Sequence, residues 1–187
     1  MKRKSIEVRW HGRGGQGAVT AANILAEAAY YEGYKGVTAA PFFGAERRGA
    51  PVIASNRFGW EPIKTFSLVE NPDVVVVLDE TLLTAVNVAA GIRPDGIVII
   101  NTAKPPETVL LKAAVNIATT NAFGWAKEAG LTVSGSVLFN TTILGGFARL
   151  DMQQRNLLFF GPGFQSLGDQ LGSIIHTNRS WLASPLQ

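Results

Sequence analysis

The sequence predicts an α/β protein: a single domain with a Rossmann-like, mostly parallel sheet and helices on both faces. Three observations lead to this fold class. Segments with the apolar character of strands alternate along the chain with segments of helix-forming residues. The run at 74–78 is wholly aliphatic, which is typical of a strand buried on both faces. A glycine-rich turn separates the first strand from the first helix.

Each element is predicted from a local pattern. Apolar or alternating segments bounded by Gly, Pro, Asn or Asp predict strands, and longer segments rich in small apolar residues predict helices. Strands are predicted at residues 6–10, 37–40, 51–58, 63–66 (as an edge strand or ribbon), 74–78, 96–100 and 115–118. Helices are predicted at residues 18–31, 81–90, 123–129 and 136–150.

The length of 187 residues suits one domain with a sizeable core. We predict that this domain occupies residues 1–150, and that residues 151–187 form a divergent C-terminal arm that either wraps a partner or is poorly ordered. Charged residues make up 17% of the chain, against a usual fraction of about a quarter. Part of the surface is therefore expected to be covered by other subunits.

Composition excludes several classes of function. The net charge is +3 and the basic residues are scattered, so no nucleic-acid-binding stripe is predicted. The chain contains no cysteine and therefore holds neither a disulfide nor a cysteine-ligated iron–sulfur cluster or zinc ion, and no metal site is predicted. The aliphatic runs are far shorter than the roughly 20 residues of a membrane helix. A cytoplasmic protein without membrane insertion is expected.

The glycine turn has the pattern Gly12-x-Gly14-x-x-Gly17, between a strand and a helix. This spacing lets the backbone turn sharply and point its amides and the helix dipole at an anion. The candidate binding residues are Gly12, Arg13, Gly14, Gly15, Gln16 and Gly17, and the side chains of Arg13 and Gln16 are expected to contact something outside this chain. The alternative is that the glycines only allow close packing of strand on helix.

Two further features are predicted to lie near the glycine turn, at the carboxyl ends of the strands. Arg47 and Arg48 supply planar donors suited to phosphate or carboxylate. The alternative is that Glu46 pairs with one arginine while the other holds a subunit interface. Asp79 follows the aliphatic strand, where it either caps the next helix or contacts a ligand.

A dinucleotide site needs an acid about 20 residues after the glycine turn, at the end of the second strand. The chain has Ala39, Ala40 and Pro41 there. The sequence therefore favours a ligand recognised by its phosphates over NAD.

No catalytic residue is predicted. His11, beside the glycine turn, is either a base or a hydrogen-bonded structural residue, and His176 lies in the C-terminal arm. Residues 134–136 lack the surroundings of a nucleophile elbow, and there is no HExxH pattern. The pattern favours a binding and assembly module. The alternatives are a free-standing Rossmann-like nucleotide-binding protein and a purely structural interface subunit.

Two separated motifs resemble one family. The segments His11-Gly-Arg-Gly-Gly-Gln-Gly-Ala18 and Phe42-Phe-Gly-Ala-Glu-Arg-Arg-Gly-Ala-Pro-Val52 are similar to the gamma subunit of 2-oxoacid:ferredoxin oxidoreductases, the group that includes pyruvate:ferredoxin oxidoreductase. The resemblance continues through residues 72–79 and weakly to residue 150. It does not extend into the arm, which lacks the charged terminal helix of the family.

The resemblance implies a complex that decarboxylates pyruvate, a branched-chain or an aryl 2-oxoacid and passes electrons to ferredoxin. It implies alpha, beta and delta-type partner subunits that carry thiamine diphosphate, Mg and 4Fe-4S clusters. It also implies that coenzyme A contacts this chain at the glycine turn and at Arg47 and Arg48, while no cofactor is bound by this chain alone.

Overall fold

A seven-stranded sheet is the framework of the structure, a computed structural model that describes residues 5–42, 48–111, 113, 115–154 and 175–177. The strands are β1 (Ser5–Arg13), β2 (Gly36–Phe42), β3 (Pro51–Gly59), β4 (Val74–Val77), β5 (Ile97–Asn101), β6 (Asn116–Thr120) and β9 (Ile175–Thr177), with β7 (Thr132–Val133) and β8 (Ser136–Val137) in a separate hairpin. The order of strands in the seven-stranded sheet is β2-β3-β1-β4-β5-β6-β9. The helices are α1 (Ala18–Tyr31), α2 (Leu82–Ala85), α3 (Ala122–Glu128) and α4 (Asn140–Gln154), with a 3-10 turn at Pro106–Thr108.

The centre of the sheet is parallel. Strand β1 pairs with β4, β4 with β5, and β5 with β6, all in parallel register. Strands β3 and β9 are antiparallel to their neighbours, and β2, which contains Pro41, forms one edge beside β3. The prediction of a mostly parallel α/β sheet in a single domain is confirmed.

One face of the sheet is covered by α1, α3 and α4. Val8, Trp10, Val74 and Val76 point to this face and pack against helix residues such as Leu25. Trp10 also stacks on Phe147 of α4, with ring centroids 6.2 Å apart. Each fully buried valine or leucine side chain on this face stabilises the fold by roughly 1.5–3 kcal/mol.

The described residues cover the other face more thinly. Val75, Val77, Val98 and Ile100 form a second cluster with Leu82 of the four-residue helix α2, and loop residues complete the cluster. Helices are predicted on both faces; among the described residues, the helical part of the cover on this face is the short helix α2, and loops supply the rest. The aliphatic run at 74–78 is buried from both sides, as its sequence predicts.

The predicted helix at 18–31 matches α1, and the strands at 51–58 and 74–78 correspond to β3 and β4 within a residue or so. The helix predicted at 81–90 is wrong in length. It ends at Ala85 because Val86 has an extended backbone, with φ −140° and ψ 155°. The edge strand predicted at 63–66 is also wrong: these residues form no strand, and all but Ile63 are exposed.

The start of the last predicted helix is four residues too early. Residues 132–137 form the β7–β8 hairpin, in which Val133 pairs with Ser136. The two residues between them, Ser134 and Gly135, have φ values of 49° and 77°. Positive φ at both central residues is the signature of a type I′ hairpin turn, so the helix begins only at Asn140.

The predicted division at residue 150 stays a prediction. Helix α4 continues to Gln154, and residues 175–177 pair with β6 as strand β9. The rest of the arm, residues 155–174 and 178–187, lies outside the described residues.

Asn56 joins three elements in the core and offers a test of this packing. It accepts a hydrogen bond from Trp10 Nε1 at 2.8 Å and donates to the carbonyls of Ala22 and Thr38 at 2.9 and 3.2 Å. We expect Asn56→Leu to lower the free energy of unfolding by about 2–4 kcal/mol, because it leaves the buried Trp10 Nε1 unpaired and removes the side-chain donor to the carbonyls of Ala22 and Thr38. Urea unfolding measures this, with the exposed Asn87→Leu as the control. An equal loss in both variants would contradict the assignment.

Candidate functional site

The carboxyl ends of β1, β4 and β5 bring the glycine turn to one edge of the sheet. The amide of Leu78, just after β4, donates to the carbonyl of His11 at 2.8 Å. The amide of Gly14 donates to Ala50 O at 2.9 Å, and the amide of Gly49 donates to Gly14 O at 3.2 Å. The glycine turn, the loop before β3 and the end of β4 therefore meet, as the sequence predicts.

Two glycines give the turn its shape. Gly15 and Gly17 have φ values of 93° and 79°, in the left-handed region that favours glycine. Gly17 is the N-cap of α1, and the first turn of α1 contains no acidic residue. A Cβ on Gly17 would lie 2.9 Å from Asn140 Nδ2 at the start of α4. The beginnings of α1 and α4 are thus packed together beside the turn.

Asp79 lies against the turn and accepts hydrogen bonds from three residues. Its Oδ2 accepts from Arg13 Nε at 3.1 Å and from Gln16 Nε2 at 2.8 Å. Its Oδ1 accepts from the amide and hydroxyl of Thr81 at 2.9 and 2.5 Å. Burial by itself would raise the pKa of Asp79, but the hydrogen bonds from Thr81 and Gln16 and the charge of Arg13 outweigh it and lower that pKa. Asp79 is therefore an anion at neutral pH.

A cleft of about 510 Å³ opens beside this network, at the ends of β4, β5 and β6. Residues around it include Gln16, Asp79, Asn101, Lys104, Phe123 and Phe139. Glu80 pairs with Lys104 at its rim, and the hydrogen bonds from Lys104 and then Thr102 lower the pKa of Glu80. The Asn101 amide group bridges Leu78 O and the Phe123 amide at 3.0 and 3.1 Å. These polar side chains already have partners within the chain.

His11 is a structural residue here. It is 5% exposed, and its Nε2 accepts a hydrogen bond from Arg9 Nε at 3.1 Å. Burial, together with the Arg9 charge, lowers the pKa of His11 to about 4. Arg9 is itself buried and donates to the carbonyls of Val69, Val88 and Ala90. His11 is therefore neutral at physiological pH and is held by its hydrogen bond from Arg9.

The side chains of Arg13 and Gln16 make their contacts inside the chain. Arg13 Nη1 donates to Gly49 O at 3.0 Å, and Arg13 Nη2 donates to Thr81 Oγ1 at 2.8 Å. Gln16 Oε1 accepts from the Arg13 amide at 2.8 Å. Arg48 is exposed in the turn before β3, whereas Arg47 lies outside the described residues.

Three contributions to this site were not predicted. They are the backbone of residues 49–50, the hydroxyl of Thr81, and Asn140. The Asn-Thr-Thr at 140–142 is a recognisable start of a helix, but the sequence does not show that this start lies against Gly17.

The second strand does not occupy the position that it has in dinucleotide-binding folds. Strand β3 lies between β1 and β2, antiparallel to both. The end of β2 is thus two strand spacings, or about 10 Å, from β1. Together with the absence of an acid at residues 39–41, this geometry disfavours the NAD interpretation.

In the described ranges, no three His, Cys, Asp or Glu residues are grouped so that they could hold a metal ion. Nor does the described part of the chain include a helix with the length and apolarity needed to cross a membrane.

A family model described as "pyruvate ferredoxin/flavodoxin oxidoreductase" matches residues 7–158. The chain belongs to this family. A curated relative, the "pyruvate/ketoisovalerate oxidoreductases common subunit gamma" of Pyrococcus furiosus, is 54% identical over 151 residues, covering 77% of each chain. The resemblance to gamma subunits is confirmed, and the chain is a subunit of an oxidoreductase complex.

Solved structures agree with this assignment. Pyruvate oxidoreductase subunit PORC from Thermotoga maritima is 34% identical, with a TM-score of 0.72, and the match covers 95% of this chain and 100% of that one. The fold also occurs in 2-oxoglutarate:ferredoxin oxidoreductase from Magnetococcus marinus, solved with 2-oxoglutarate, coenzyme A and succinyl-CoA bound. That match has 15% identity and a TM-score of 0.61, and it covers 92% of this chain and 28% of that one.

The buried histidine generates a prediction about pH. The pKa of His11 is about 4 in the folded chain, against an ordinary value of 6.5. The unfolded chain binds a proton over this interval that the folded chain does not. The contribution of His11 to stability is therefore complete above pH 6.5 and is lost as the pH falls to about 4, with a slope of up to about 1.4 kcal/mol per pH unit.

Urea unfolding between about pH 4.5 and 7.5 measures this slope. We expect His11→Gln to flatten it and His176→Gln, the matched control at the other histidine of the chain, to retain it. An unchanged slope in His11→Gln would show that another group is responsible.

Proposed function

We propose that this subunit serves a complex that oxidatively decarboxylates a 2-oxoacid to an acyl-CoA, CO2 and reduced ferredoxin or a similar acceptor. The 2-oxoacid is pyruvate, a branched-chain or an aryl 2-oxoacid. The subunit itself contributes coenzyme A binding and assembly. The observation that carries this proposal is the glycine turn, which opens α1 through a left-handed Gly17 and lies in the same corner as the exposed Arg48.

The balance of charges around the glycine turn and Arg48 supports an anionic ligand. Coenzyme A carries a diphosphate and a further phosphate group. The first turn of α1 has no acidic residue, so the positive end of its dipole is not offset there. Asp79, whose carboxylate contacts the turn, is paired with Arg13. Gly12, Arg13, Gly14, Gly15, Gln16 and Gly17 provide the backbone of the proposed phosphate site. Arg48 adds a planar donor, and Arg47 is proposed as a second on sequence grounds.

The redox chemistry is proposed to lie on other chains. Thiamine diphosphate, Mg and 4Fe-4S clusters would be held by alpha, beta and delta-type subunits, which agrees with the absence of cysteine from this chain. The word "common" in the name of the P. furiosus relative supports a gamma subunit that serves two 2-oxoacid enzymes. The complex is proposed to be cytoplasmic.

An apolar surface supports the assembly role. Leu131, Val133 and Leu138 are 43%, 57% and 42% exposed, although all three are aliphatic. They line one groove of about 390 Å³ between the β7–β8 hairpin and the first turns of α1 and α4. A clustered apolar surface of this kind is typical of a subunit interface. We assign it to a partner subunit of the complex.

Arg48→Gln tests the ligand role in the assembled complex. We expect the KM for coenzyme A to rise about fivefold to tenfold with kcat retained, since one charge-assisted hydrogen bond to phosphate is lost. Steady-state kinetics measure this effect. Lys35→Gln, an exposed cation at the opposite edge of the sheet, is the control. An unchanged KM in an intact complex would favour the purely structural interface subunit, and reduction or binding of NAD by the isolated chain would favour the free-standing protein.

Leu131→Ser combined with Val133→Ser tests the assembly role. We expect the variant chain to lose co-elution with its partner subunits in size-exclusion chromatography, because two apolar anchors are removed, with affinity lowered about tenfold or more. Tyr30→Ser with Tyr31→Ser is the control, because these side chains are 69% and 77% exposed at the end of α1. Normal assembly of the Leu131/Val133 variant would contradict the assigned interface.

A further inference from the structure

The carboxylate of Asp79 ties the glycine turn to the end of β4. Both oxygens are used: Oδ2 by Arg13 and Gln16, and Oδ1 by the amide and hydroxyl of Thr81. The Asp79 side chain is only 17% exposed. A carboxylate that accepts hydrogen bonds on both oxygens from its own chain has little capacity left for a ligand, so its role is structural within the site.

The side chain of Gln16 links Asp79 to the backbone of the glycine turn. Its Nε2 donates to Asp79 at 2.8 Å while its Oε1 accepts from the amide of Arg13, also at 2.8 Å. The backbone amide of Gln16 donates in turn to Arg13 O at 3.0 Å. The two ends of the turn are thus held together by one side chain, and that side chain is anchored on Asp79.

The side chain of Arg13 links Asp79 to the loop before β3. Its guanidinium donates to Asp79 Oδ2 through Nε and to Gly49 O through Nη1. The backbone of Gly14 exchanges two hydrogen bonds with Gly49 and Ala50. Arg48 directly precedes this contact. The glycine turn and the segment that carries Arg48 are therefore held together by these two backbone hydrogen bonds and by the Arg13 guanidinium, which Asp79 in turn holds.

We propose that Asp79 is a positioning residue for the anionic ligand: by holding Arg13 and Gln16, it fixes the glycine turn and the 48–50 segment at one spacing before the ligand arrives. This inference rests on the proposed function, because the ligand is the phosphate-bearing one assigned to that turn. Preorganisation raises affinity by removing the cost of ordering the site during binding.

A positioning role for Asp79 and a purely electrostatic role have opposite effects on ligand binding. Removing a negative charge next to an anion site should by Coulomb's law strengthen anion binding. Loss of positioning should weaken it. We therefore expect Asp79→Asn in the assembled complex to raise the KM for coenzyme A about tenfold while kcat changes by no more than about twofold. A lower or unchanged KM would overturn the inference.

Arg13→Lys is the second variant, since it keeps the positive charge but loses the fork that joins Asp79 to Gly49. We expect a similar rise in KM, and little further rise when it is combined with Asp79→Asn, because both changes break one network. If Asp79→Asn fails to assemble, Arg13→Lys decides the question: a raised KM supports the inference and an unchanged KM overturns it.

Arg93→Gln is the matched control. Arg93 Nε lies 3.2 Å from Asp73 Oδ1, just before the amino end of β4, much as Arg13 Nε lies 3.1 Å from Asp79 Oδ2 just after its carboxyl end. It should leave the KM unchanged.

Hydrogen exchange gives a readout that needs no ligand. In the complex without coenzyme A, we expect the amides of both 13–17 and 48–50 to exchange faster in Asp79→Asn and Arg13→Lys than in the parent protein. Unchanged exchange would overturn the inference. The proposed function fails separately: a normal KM in Arg48→Gln argues against it, whereas a raised KM there with normal Asp79→Asn removes only the positioning role.

Discussion

The parallel pairing of β1 with β4 is the constraint on which the site depends. It sets the end of β1 beside the end of β4, where Leu78 donates its amide to the carbonyl of His11. The chain then continues into the glycine turn on one strand and into Asp79 on the other. Two segments more than 60 residues apart in sequence therefore meet through side-chain hydrogen bonds of 2.8 and 3.1 Å. The shape of the turn follows from this pairing as much as from its glycines.

Among the described residues at this end of the sheet, the acidic side chains are paired and positive charge remains. Asp79 is held by Arg13, and Glu80 by Lys104. The start of α1 has no acid in its first turn, and Arg48 is exposed. The nearby histidine is neutral and buried with Arg9. This arrangement is suited to holding an anion, and the described residues around it include no evident group for proton transfer.

Local signals predicted local structure well. The helix at 18–31 and the buried strand β4 follow from composition and periodicity, which depend on neighbours in sequence. What the sequence did not show depends on pairing between distant segments. The antiparallel insertion of β3 between β1 and β2 is one example, and the contacts of Asp79 are another. The hairpin at 132–137 was missed for a different reason: Ser134 adopts a positive φ usually associated with Gly or Asn, so the turn lacked its common marker.

The edge strand β2 includes Pro41, paired opposite Ala54 of β3. Proline has no amide hydrogen, so a foreign strand approaching this border would meet an interrupted ladder. Addition of a strand from a neighbouring molecule to β2 is therefore disfavoured. A chain with few charges and exposed apolar side chains is prone to aggregate before it binds its partner subunits. Pro41 blocks one way in which such aggregation would begin.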